Sequence, residues 1–173
     1  MQVHHLLEES FSKYPESKSL WYDESWYTYK QLNDLADSIA AYLVHQNISR
    51  GDRVAILLDN SFHYITAYFG ILKAGAVVVG LNTETNTESL NYLLNDSESR
   101  CIITQNKYYK LLKPALEKCS TISDVIMTDS EGELISLKKD RKITVESINN
   151  IKSKYTIVTI LEKSEGCYVK SVI

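Results

Sequence analysis

The residues able to do chemistry are few and scattered. His4 and His5 are adjacent, and each has a glutamate four residues on, Glu8 and Glu9. Imidazole and carboxylate are the donor types that hold zinc. Neighbouring residues on a helix point in different directions, however, so these pairs read as helix-surface contacts and not as a metal site. His63 could serve as a general base, yet no serine or cysteine nucleophile motif accompanies it, and it reads as structural. Trp21, Tyr22, Trp26 and Tyr27 could stack on sugars or bases. With no basic residue interleaved, they read instead as cover for the edge of a core.

Phosphate-cradling loops need glycines, because backbone amides must converge on the anion without a Cβ in the way. The six glycines stand alone at 51, 70, 75, 80, 132 and 166. None of G-x-G-x-x-G, G-x-x-x-x-G-K and G-x-S-x-G can be written from them, and H-E-x-x-H and C-x-x-C are missing too. The three cysteines, Cys101, Cys119 and Cys167, are odd in number and widely spaced. That argues against a disulfide framework or zinc site and fits a reducing cytoplasm. The best ligand candidate is the polar loop Asn82–Thr87, which follows a strand and leads into a helix. Asn and Thr are also common turn and cap residues. No catalytic, cofactor-binding or metal-ligating residue is assigned.

Composition bounds the class. A chain of 173 residues with 44% hydrophobic and 24% charged residues is ordinary for one soluble domain or for one with a tail. The net charge of −3, with its cations dispersed, argues against nucleic-acid binding. No apolar run is long enough for a transmembrane helix, and MQVHHLLEESF lacks the basic start of a signal peptide.

The elements that must position these residues follow from periodicity. Tyr68–Asn82, YFGILKAGAVVVGLN, organises the rest: a buried helix with Phe69 and Leu72 on one face, a stop at Gly75, then Val77–Val79 as a central strand covered on both faces. Before it come a helix over 3–13 closed by Pro15 and an aromatic hairpin around Asp23-Glu24-Ser25. The next helix opens on a Thr28/Gln31 capping box with a Tyr27–Leu32 staple. Its stripe is Leu32, Leu35, Ala36, Ile39, Ala40 and Leu43, with Asn47 and Gly51 as the exit. Arg53–Leu58 is a buried strand, followed by Asp59-Asn60-Ser61 as caps.

After the loop, a short helix turns Leu90, Leu93 and Leu94 inward. Arg100–Thr104 is a strand, Tyr108–Lys118 a helix that Pro114 weakens or confines to one side, and Asp124–Thr128 a strand. Thr128–Lys142 is a polar excursion, Thr144–Asn150 a short helix and Tyr155–Leu161 a further strand. Recurrent strand-helix-strand units predict an α/β fold: an open, doubly wound, mostly parallel sheet with helices on both faces, plus the N-terminal hairpin.

Several stretches together resemble the N-terminal part of the adenylate-forming superfamily, which includes acyl-CoA synthetases, non-ribosomal adenylation domains and firefly luciferase. WYTYKQLN (Trp26–Asn33) resembles the first core motif through Thr28, Tyr29 and Leu32. RGDRVAILLDNS (Arg50–Ser61) resembles the strand after the long helix. ILKAGAVVVGLN (Ile71–Asn82) resembles the second core motif, and LNYLLNDSESRCIIT (Leu90–Thr104) the next helix and strand. Ending on Asn82 resembles acyl-CoA ligases more than peptide-synthetase domains, whereas Gly80 stands where a proline is usual.

The resemblance implies an N-terminal fragment of an ATP-dependent acyl-CoA ligase of fatty acid metabolism. The full enzyme would use ATP, Mg and CoA to make an acyl-adenylate and then a thioester. In the family a glycine-rich loop holding the ATP phosphates follows such a segment. Here Tyr155–Gly166 keeps Tyr155, Thr156 and Thr159 but lacks the glycines and the Pro-Lys-Gly, and the family's later site residues have no counterpart in this sequence. The chain alone is therefore expected to bind no cofactor and to be inactive. Residues 1–152 are expected to form the ligase-like α/β subdomain and 153–173 a divergent tail. One codon set for Lys163–Val169, read one base later, spells Ser-Pro-Lys-Gly-Val-Met, as expected of a frame-shifted ending. The alternative is a stand-alone binding or assembly module, which self-associates or takes a partner chain in place of the missing half.

Overall fold

Local sequence signals start and stop most elements of the computed structural model, which describes residues 2–128. Helix α1 (His4–Lys13) ends just before Pro15. Strands β1 (Lys18–Tyr22) and β2 (Ser25–Thr28) form an antiparallel hairpin. Its tip is two residues and not three. Asp23 and Glu24 both take positive φ, 49° and 57°, and Ser25 already pairs with Tyr22. That tight turn matches the right-handed twist of the paired strands.

Helix α2 (Tyr29–His45) opens on the expected capping box. Thr28 Oγ1 accepts from the Gln31 amide at 3.2 Å, and Gln31 Oε1 accepts from the Thr28 amide at 2.8 Å. Tyr27, next to the cap, stacks on Phe62 with ring centroids 4.0 Å apart. Leu32, Leu35, Ala36, Ile39 and Leu43 are buried as expected, while Ala40 is half-buried and the polar Asn33 and Ser38 are buried beside the stripe. Each buried leucine contributes about 1.5–3 kcal/mol. Asn47 and Gly51 turn the chain with φ of 60° and 87°.

The remaining elements are β3 (Arg53–Leu57), α3 (Phe62–Lys73), β4 (Val77–Gly80), α4 (Thr87–Asp96), β5 (Cys101–Thr104), α5 (Tyr109–Glu117) and β6 (Asp124–Met127). Ser61 caps α3 by accepting from the Tyr64 amide at 3.1 Å. At the other end of α3 the Gly75 amide donates to Leu72 O and the Ala76 amide to Ile71 O, with Gly75 at φ 76°. This paired closure uses the left-handed residue that only glycine adopts without strain. Helix α5 runs through Pro114, so the proline does not confine it to one side. A single 3-10 turn at Asn106–Tyr108 leads into it.

All four strands of the main sheet are parallel, in the order β4-β3-β5-β6. Alternation along β3 splits the interior in two. Val54 and Ile56 face α1, α2 and α3, while Ala55 and Leu57 face α4 and α5. Helices on both faces and one parallel sheet are the predicted architecture. Three details differ. Val77–Gly80 is an edge strand among the described residues, not a central one, and Val77 is 47% exposed. The doubly covered strands are β3, β5 and β6. On α3 the buried face is Phe62, His63, Thr66, Ala67, Gly70 and Ile71, with Phe69 and Leu72 only half-buried. On α4, Leu90 and Leu94 are buried and Leu93 is exposed, because a helix resting on a sheet buries only one narrow stripe.

Lys73, at the end of α3, ties the helical layer together. Its side chain is 7% exposed, and its Nζ donates to Asn33 Oδ1 at 2.7 Å and to Asp37 Oδ1 at 2.5 Å. Glu8 of α1 approaches the same ammonium at 3.6 Å. The expected elements beyond Thr128, namely the excursion, the short helix, the Tyr155–Leu161 strand and the 153–173 tail, lie outside the described residues.

Candidate functional site

Strand order decides where a doubly wound sheet can hold a ligand. The chain goes from β3 outward to β4 and then crosses back over β3 to β5. The switch in direction opens a crevice between the carboxyl ends of β3 and β5. The Asn82–Thr87 loop favoured by sequence follows edge strand β4 and stands outside this switch point. Its polar groups serve the chain itself: Asn82 Oδ1 accepts from the Glu84 amide at 2.9 Å, and Asn86 Oδ1 caps α4 through the Ser89 amide at 2.8 Å.

Five side chains meet at the crevice. Thr104 Oγ1 donates to Leu57 O at 2.9 Å, which locks the two strand ends together. The Asp59 amide donates to Gln105 Oε1 at 3.3 Å. Lys107 Nζ and Tyr108 Oη both donate to the Asp59 carboxylate, one to each oxygen. Lys107 also lies 4.9 Å from the centre of the Tyr108 ring. The Lys107 hydrogen bond, then that from Tyr108, holds the Asp59 carboxyl below its ordinary value. The same contact with Asp59 raises the Lys107 ammonium. Both groups stay fully charged at neutral pH, so neither suits proton transfer there. The cluster is an anchored ion pair, 43% and 53% exposed at its two ends, that closes the switch point.

The remaining sequence candidates are dispersed. His63 is buried in the first turn of α3, with its ring centroid 5.8 Å from that of Phe62. The aromatic quartet divides: Tyr22 and Tyr27 pack against the core, whereas Trp21 and Trp26 face outward at 55% and 48% exposure. The two indoles pair across the hairpin with centroids 5.4 Å apart, and Lys18 Nζ sits 5.2 Å from the Trp26 ring. Only half of the quartet therefore covers a core. His4 and His5 do not diverge as expected, since their ring centroids are 4.5 Å apart. Tyr155, Thr156, Thr159 and Lys163–Val169 lie outside the described residues.

Sequence reasoning took Asp59 as a helix cap and passed over Lys107 and Tyr108. The strand order alone brings these distant residues together, and no spacing in the sequence signals it.

Comparison with known proteins gives a consistent picture. A family model described as AMP-binding enzyme matches residues 7–161. Bacitracin synthase 1 of Bacillus licheniformis is 31% identical over 130 residues, covering 75% of this chain and 2% of that protein. A long-chain-fatty-acid–CoA ligase of Salmonella typhimurium is 31% identical over 134 residues, covering 77% of this chain and 24% of the ligase. Among solved structures, coronafacic acid ligase from Pectobacterium brasiliense superposes with a TM-score of 0.72 at 25% identity, over 82% of this chain and 27% of that one. A Mycobacterium tuberculosis fatty acyl CoA synthetase gives 0.70 at 28% identity, over 75% and 27%. The chain thus spans about a quarter or less of the length of these relatives.

Proposed function

The chain belongs to the AMP-binding enzyme family, and from that membership we propose that it is the N-terminal portion of an ATP-dependent acyl-CoA ligase, inactive by itself. The parallel sheet with helices on both faces matches the N-terminal domain of adenylate-forming enzymes. The relatives include both peptide synthetases and CoA ligases. The observation that carries the CoA-ligase reading is Asn82, two residues after β4, whose side chain closes a turn by accepting from the Glu84 amide. A cytoplasmic setting belongs to the same reading, supported by Cys101, which is buried as a free thiol.

The described residues do not fit the phosphates of ATP. At the switch-point crevice the Lys107 ammonium is already engaged by the Asp59 carboxylate, so the pair offers an anion no net positive charge. Gly51 sits in a turn, Gly70 inside a helix contact, Gly75 in a helix stop and Gly80 at a strand end, so no two can form an anion nest. No step of adenylation is assigned to these residues, and CoA and Mg belong with the full-length family.

Inactivity is tested by carboxylate-dependent ATP–pyrophosphate exchange with the purified chain, where the background rate is expected. The ligase assignment is tested by sequencing the DNA on both sides of this reading frame and assaying the polypeptide joined to any ligase-like remainder. Thioester formation between a fatty or aryl acid and CoA supports the reading. Exchange that depends on an amino acid and ignores CoA overturns it. A second reading, a stand-alone assembly module, is favoured by the outer edge of β4, which no described strand pairs. A discrete dimer in light scattering supports the module, and aggregation supports an orphaned fragment.

A further inference from the structure

We propose that His4, His5 and Glu8 form a surface site for a borderline divalent metal ion such as Zn2+. The candidate ligand atoms of the three side chains all lie within 4.8 Å of one another. His4 and Glu8 stand four apart on α1, the spacing that puts two side chains on one face of a helix. His5 joins them because its ring meets that of His4 nearly at right angles, 79° between planes. Two imidazoles and one carboxylate, with coordination positions left over for water, are the donor set of zinc sites that keep an open position. Harder cations such as Mg2+ prefer an all-oxygen shell.

Binding displaces two existing contacts. The Gln2 amide donates to His5 Nδ1 at 3.2 Å. A ring nitrogen cannot accept that bond while the opposite nitrogen holds a metal, since it then carries the proton, so the contact is lost whichever nitrogen ligates. It is an exposed hydrogen bond and its loss costs little. Glu8 must also turn from Lys73. Their separation of 3.6 Å is an ion pair without a hydrogen bond, and Lys73 keeps its bonds to Asn33 and Asp37. Glu8 is the dispensable partner of Lys73.

The test is calorimetric titration of ZnCl2 into the full 173-residue chain, in a buffer that does not chelate, for wild type, His4→Ala, His5→Ala and Glu8→Gln. All three positions are on the surface of α1, and circular dichroism verifies folding. One saturable event per chain is expected. Each variant should weaken it by about tenfold or more, since even the partners of ligating side chains typically cost that much. Lack of a saturable event in the wild type overturns the proposal. So does binding that survives both histidine substitutions, which places the ion elsewhere. Binding unchanged in Glu8→Gln reduces the site to a histidine pair and overturns the three-ligand assignment.

Discussion

Gly70 of α3 lies so close to Ile39 of α2 that a Cβ on Gly70 would sit 2.7 Å from Ile39 Cβ and Cγ2, and 3.0 Å from the Ala36 carbonyl oxygen. The two helices meet backbone to side chain, and a methyl group fits only if they part. Gly70→Ala gains helix propensity of roughly 1 kcal/mol. Overpacking costs about 1–3 kcal/mol, more where backbone must shift, so the balance is destabilising. Urea denaturation should show a lower midpoint for Gly70→Ala, partly restored in the double variant with Ile39→Ala. A midpoint at or above wild type would show that the helices separate freely.

Removing the ammonium of Lys73 leaves the buried Asn33 Oδ1 without its donor, although Asn33 Nδ2 still donates to Asp37 at 2.7 Å. Lys73→Met preserves the apolar stem and should still lose about 1.5–3 kcal/mol, the range for hydrogen bonds to charged groups. Glu8→Gln, at the looser 3.6 Å contact, should lose far less. Equal losses in the two variants would contradict this ranking.

Acid should loosen the crevice. The folded state holds the Asp59 carboxyl below its ordinary value, so the unfolded chain takes up that proton first as pH falls. The stability contributed by Asp59 is complete above the ordinary carboxylate value of about pH 4 and is lost as pH falls from there through the lower folded value. The difference in thermal midpoint between wild type and Asp59→Asn should hold steady from neutral pH to the upper edge of that window and then shrink. A difference that widens in acid would reverse the assignment.

Thiol reactivity should follow burial. Cys101 is 1% exposed between two strands, and burial, reinforced by the neighbouring Asp124, pushes its thiol well above the ordinary range. Cys119 is equally buried. Because the thiolate is the reactive form, Ellman's reagent should fail to label Cys101 in the native chain and label it in denaturant, read as the difference between wild type and Cys101→Ser. Rapid native labelling that disappears in Cys101→Ser would mean that the sheet opens.

Much of the fold was legible because its signals are local. The Thr28/Gln31 box, the left-handed Gly75 and the strand segments each depend on residues a few positions apart. The edge position of β4 among the described strands was not legible. Three consecutive valines look equally apolar at the centre or at the margin of a sheet, and only the crossover over β3 tells them apart. The crevice was hidden for the same reason: Asp59 and Lys107 are neighbours only once β3 and β5 pair. His4 and His5 were misjudged by treating side-chain direction as fixed by backbone position, whereas two long rings can still swing into contact. Family motifs supplied what periodicity could not, but none of the matching stretches contains His4, His5 or Lys107.

The packing of α2 against α3 also has a consequence during synthesis. The stripe from Leu32 to Leu43 leaves the ribosome before its cover, since Ala67 and Ile71 are translated later. At roughly 5–20 residues per second, the nascent helix waits on the order of seconds with its leucines in water. Slow translation while the stripe has emerged and its cover is still inside the ribosome would prolong that interval, so yield of native protein in a cell should depend on decoding speed at that stage of synthesis.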